Sequence, residues 1–116
     1  MKTIFKIATV ALAAAAAMSS HADSNYPVAG KTITIIVPFT AGGPTDKVAR
    51  DLAESMRKQL GNATIVIDNA DGAGSTIGIG KAARAKNDGY TLLLTHIAMS
   101  TIPTLYRKLP FNVLND

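Results

Sequence analysis

The sequence has 116 residues, with 12 Lys and Arg against 8 Asp and Glu, and it lacks Cys and Trp. A chain of this length buries one small core at most, and without cysteine it can form no disulfide or thiolate site. No Lys/Arg run interleaves with aromatic residues, so nucleic acid is not an expected partner.

Residues 1–22 read as a cleaved signal peptide. Lys2 and Lys6 open the chain, an alanine-rich apolar run covers Ile7 to Met18, and Ser20-His21-Ala22 supplies small residues where a signal peptidase reads. The run falls short of the roughly 20 residues that a membrane span needs. Export would leave residues 23–116 as the mature segment, in the periplasm.

The mature segment alternates strand and helix signals. Thr32–Val37 is β-branched and apolar, and it stops at Pro38, which cannot donate to a sheet ladder. A small-residue loop leads to a helix over Pro44–Leu60, with Pro44 suited to the first helical position. Val48, Leu52, Met56 and Leu60 recur every four residues, with Ala49 and Ala53 beside them, and give it an apolar stripe. Gly61 ends it. Thr64–Ile67 reads as a second strand, Asp68–Gly74 as a loop, Ser75–Ala85 as a weaker helix and Tyr90–Leu94 as a third strand after the Asn87-Asp88-Gly89 turn. Thr95–Asp116, with Pro103 and Pro110, has no clear period.

Continuous apolar strands alternating with helices predict an α/β fold, a parallel sheet with helices on both faces. Ligands of such sheets collect beyond the carboxyl ends of the strands. Phe39–Thr45, Asn69–Ser75 and Thr95–Thr101 all fall there. The first is a glycine loop at a helix N-terminus, where unpaired N–H groups and the helix dipole attract anions. The expected ligand is a small organic carboxylate. The candidate donors are the amides of Gly42, Gly43 and Thr45 and of Gly74 and Ser75, with the hydroxyls of Thr40, Ser75 and Ser100 and the ring of His96 as further contacts. Gly43 is the position where close ligand approach or a positive φ would demand glycine. Asp46 has two readings, a helix-start residue serving first-turn amides or a contact to a ligand ammonium or bridging water. Gly72–Gly78 has the spacing G-x-G-x-x-x-G and no acidic residue about twenty positions on, so it is a poor dinucleotide fingerprint. No His, Asp and Glu cluster has metal-ligand spacing.

Several segments together resemble the periplasmic solute-binding proteins of the tripartite tricarboxylate transporter, the Bug family. They are Tyr26-Pro27, Ile36-Val37-Pro38-Phe39, Gly42-Gly43-Pro44-Thr45-Asp46, Asp71-Gly72-Ala73-Gly74, Ile77-Gly78, Asp88-Gly89-Tyr90-Thr91-Leu92-Leu93 and Leu105 to Phe111. The resemblance implies the first lobe of a two-lobed Venus flytrap, incomplete in this sequence. It also implies no catalysis, no cofactor, inner-membrane transporter subunits as partners, and a monomer at full length. The second loop departs from the family pattern, with Ala70 and Asp71 where a basic residue and a proline are common. The alternatives are an exported hydrolase-like enzyme using the glycine loops as an oxyanion site, or a truncated inactive fragment.

Overall fold

The computed structural model describes residues 25–116. The signal peptide expected over 1–22, and the boundary drawn after it, lie outside the described residues. In chain order the elements are β1 (Ile33–Val37), α1 (Pro44–Gln59), β2 (Ile65–Asn69), a 3-10 turn (Ala73–Ser75), α2 (Thr76–Ala83), β3 (Thr91–Leu93) and α3 (Ala98–Leu105). The three strands are parallel in the order β2-β1-β3. Among the described strands β1 is central and alone is paired on both edges.

Alternation along β1 explains why its residues are almost all apolar. Ile33, Ile35 and Val37 face one side and form a core with Ala49 and Ala53 of α1, with Ile65 and with Tyr90. Ile36 faces the other side and is equally buried. Helix α1 covers β1 and β2, and α2 covers β1 and β3. Burial of each large β1 side chain contributes roughly 1.5–3 kcal/mol.

The buried stripe of α1 is rotated from the expected one. Ala49 and Ala53 are buried, whereas Val48 and Leu52 remain 57% and 42% exposed. Alanine at the contact lets the helix axis approach the sheet closely, and Met56 and Leu60 extend that same line. The amphipathic signal was real, but the small residues face inward.

Strand ends also differ from expectation. β2 continues through Asp68 and Asn69, which pair with Ile36 and Val37. Their polar side chains are tolerated because each finds a partner, Lys81 for Asp68 and both Asp46 and the Phe39 carbonyl for Asn69. β3 is short, yet Thr34 N–H donates to Tyr90 O at 2.8 Å and Leu94 N–H to Ile36 O at 2.9 Å, so pairing spans the expected Tyr90–Leu94. α3 lies where no period was legible. Pro103 sits inside it, and its anchor is Ile102, 2% exposed. At the opposite end of the sheet, Tyr26 donates its hydroxyl to Gly89 O and packs against Tyr90 in a tilted ring pair, tying the entry of the fold to the β3 turn.

Candidate functional site

The site begins where β1 ends. Pro38 is fully buried, and the chain then turns through Thr40–Gly43, with Gly43 N–H bonded to Thr40 O at 3.3 Å. The left-handed residue is Gly42, at φ +81°; Gly43 has an ordinary φ of −76°. A positive φ is thus not what calls for glycine at 43. Space is the nearer reason, since a Cβ there would lie 3.2 Å from Thr40 O. Pro44 opens α1 and has no N–H, so Thr45 and Asp46 carry the first helical N–H groups, which no carbonyl of the helix can reach.

Asp46 is the internal organiser of this loop. It is 3% exposed. Its Oδ2 accepts from Gly42 N–H at 2.8 Å and from Arg50 Nε at 2.9 Å, and its Oδ1 accepts from Asn69 Nδ2 at 3.1 Å. Arg50 first, and the Gly42 N–H next, hold the carboxyl down at about 2. The carboxylate therefore ties α1, the β1 loop and the end of β2 together. Its partners are Gly42, Arg50 and Asn69, and not the first-turn amides of α1 that the helix-start reading named.

The second loop meets the first across a hydrogen bond. Thr40 Oγ1 donates to Asp71 Oδ2 at 2.5 Å, and Gly72 N–H donates to Asp71 Oδ1 at 2.7 Å. Behind them α2 approaches so closely that Gly78 touches both loops; a Cβ at 78 would lie 2.6 Å from Ala70 O and 2.7 Å from Pro38 Cβ. The third segment contributes His96, whose ring stacks on Phe39 with centroids 4.3 Å apart and planes 10° apart.

These elements enclose an open cleft of about 630 Å³ lined by Phe39, Thr40, Gly43, Thr45, Asp71 and His96, among others. Of the expected site residues, Thr40, Gly43, Thr45 and His96 meet there. Gly42 and Asp46 belong to the same turn and helix start but do not line it. Gly74, Ser75 and Ser100 do not line it. Gly74 packs under the Tyr106 hydroxyl, which a Cβ would overlap. Ser75 is buried at φ +76°. Ser100 lies on α3 beside a separate cleft with Met99 and Pro103.

Four cleft residues were missed, Phe39, Pro44, Asp71 and Ile97. All lie in segments that the strand-end rule had marked, and chain topology alone could have nominated them. Among the described residues no Lys or Arg lines the cleft. What it presents at the start of α1 is backbone N–H rather than a cationic side chain. Among the described residues no group of three or more His, Asp or Glu could hold a metal ion.

Residues 48–116 match the family model described as the tripartite tricarboxylate transporter family receptor. A UPF0065 protein of Agrobacterium vitis is 42% identical over 97 residues, covering 84% of this chain and 27% of that protein. The solved structure of the periplasmic binding protein BugD is 52% identical with a TM-score of 0.67, covering 71% of this chain and 27% of that one. MatC from Rhodopseudomonas palustris, solved with bound malate, is 40% identical with a TM-score of 0.69, covering 76% of this chain and 29% of that one. The chain thus spans roughly a quarter to a third of the length of the curated relatives it matches.

Proposed function

The chain belongs to the tripartite tricarboxylate transporter receptor family, and from that premise we propose that it forms the first-lobe ligand face of a periplasmic solute-binding protein. Its ligand is a small organic carboxylate, delivered to an inner-membrane transporter. It does no covalent chemistry. The observation that carries this reading is the start of α1. There the unpaired N–H groups of Thr45 and Asp46 and the positive end of the helix dipole adjoin a cleft that no Lys or Arg among the described residues lines. The malate held by MatC supports the same ligand class.

The cleft is open on one side, as expected of a half-site that a second lobe closes. The free amides of Thr45 and Asp46 would orient one carboxylate, and the Phe39–His96 stack would form an apolar wall for its carbon chain. Among the described residues no hydroxyl bonds the His96 ring, so the nucleophile–base contact that a hydrolase needs is not formed there. That weighs against the hydrolase alternative.

The test is a ligand-dependent stability screen. It uses the chain and a chimera in which residues 25–116 are continued by the remainder of BugD. A carboxylate present at a hundred times its Kd stabilises by about 2.7 kcal/mol. Stabilisation by C4–C6 carboxylates, and not by neutral sugars, is expected. No response to any carboxylate in a folded chimera would refute the proposal.

A further inference from the structure

The acidic residue of the cleft has no role in simple anion capture. Asp71 lines the same space as Gly43 and Thr45. Its two oxygens each accept one bond, from Thr40 Oγ1 and from Gly72 N–H, so the carboxylate is fixed in place while lone pairs remain on both oxygens. The Thr40 hydroxyl, expected to support a ligand carboxylate, spends its proton on Asp71 instead. Asp71 forms no salt bridge to any Lys or Arg among the described residues, in contrast to Asp46, Asp51, Asp68 and Asp88. The cleft therefore offers amide donors at the α1 end and a fixed negative acceptor at the β2-loop end.

We propose that Asp71 is a specificity-determining residue that selects carboxylates carrying a protonated amine. This rests on the carboxylate-binding reading above and refines it. A plain dicarboxylate places a second negative charge in a cleft that already holds one, and like charges at close range disfavour binding. An amino acid places its carboxylate on the α1 amides and its ammonium toward Asp71, where a charge-assisted hydrogen bond forms. A hydroxy acid gains only a neutral-donor bond at that oxygen, so it ranks between the two.

The experiment is titration calorimetry of the chimera with aspartate and with succinate, which differ by one amino group. Wild type should prefer aspartate. Asp71→Asn should weaken aspartate by about tenfold or more and leave succinate equal or tighter. Asp71→Glu, which keeps the charge, should retain the aspartate preference. Equal changes for both acids in Asp71→Asn, or an unaltered ratio, would overturn the specificity role while leaving carboxylate binding intact. Failure of both acids and of every other carboxylate to bind the folded wild type would overturn the underlying reading and this inference with it.

Discussion

Replacing Gly78 with alanine tests how the fold positions the cleft. A new Cβ would sit 2.6 Å from the Ala70 carbonyl oxygen, 2.7 Å from Pro38 Cβ and 2.9 Å from Pro38 Cα. None of these is the free end of a flexible side chain. Ordinary contact begins near 3.4 Å, so α2 and the two loops would have to part by roughly 0.8 Å, an overpacking strain of about 1–3 kcal/mol. Alanine recovers up to about 1 kcal/mol of helix propensity. With three hard contacts the strain belongs at the upper end, and the net loss is about 1–2 kcal/mol. Gly80→Ala is the paired control on the same helix. Its Cβ would meet Arg84 Nη1 at 3.1 Å and Phe111 Cδ1 at 3.3 Å, both movable side-chain atoms. It should be neutral or slightly stabilising. Urea unfolding at unchanged m-value reads the difference. A Gly78→Ala protein as stable as Gly80→Ala would refute the close seating of α2 on both loops. Because Pro38 leads into Thr40 and Ala70 into Asp71, the same substitution should also weaken carboxylate binding.

Two further outcomes follow from the side chains behind and beside the cleft. Asp46 is held near 2 in the fold against an ordinary 3.8, so its contribution to stability is complete above about pH 4 and is lost as pH falls toward 2; Asp46→Asn should flatten the acid limb of a stability–pH profile over that interval, and an unchanged limb would contradict its bonding to Arg50 and Gly42. His96→Ala removes one stacked pair, worth about 0.5–1.5 kcal/mol, so calorimetry should find a loss of affinity of about tenfold or less, and a loss beyond a hundredfold would mean that a His96 ring nitrogen bonds the ligand and that the ring is not merely an apolar wall.

The architecture was legible because the strongest sequence signals were also the structural determinants. Ile33–Val37 is apolar at every position but Thr34, as a strand buried on both faces must be, and Gly42-Gly43-Pro44 marks the strand-to-helix turn. Periodicity failed where size mattered more than hydropathy. Ala49 and Ala53 carry weaker apolar signals than Val48 and Leu52, yet only the alanines fit between α1 and the sheet. It failed again at α3, where Pro103 masks a helix that Ile102 holds down. The site was legible to the level of three loops. Which side chains faced the cleft depended on long-range partners. Thr40 turns to Asp71 across 31 positions, Asp46 to Asn69 across 23, and Gly74 lies under Tyr106. No local pattern encodes those pairings.

The central claim is that a carboxylate sits on the backbone at the start of α1, and Gly43→Val tests it most directly. Gly43 has φ −76°, which valine adopts, so most of the fold should survive. The added side chain would start 3.2 Å from Thr40 O and crowd the free amides of Thr45 and Asp46. Each amide-to-carboxylate bond lost costs about 1.5–3 kcal/mol, or about ten- to a hundredfold in affinity. Titration calorimetry of the folded chimera with the best carboxylate from the stability screen should therefore show binding reduced at least tenfold or abolished in Gly43→Val. Wild-type affinity in a folded Gly43→Val protein would place the ligand away from the β1–α1 loop and contradict the account.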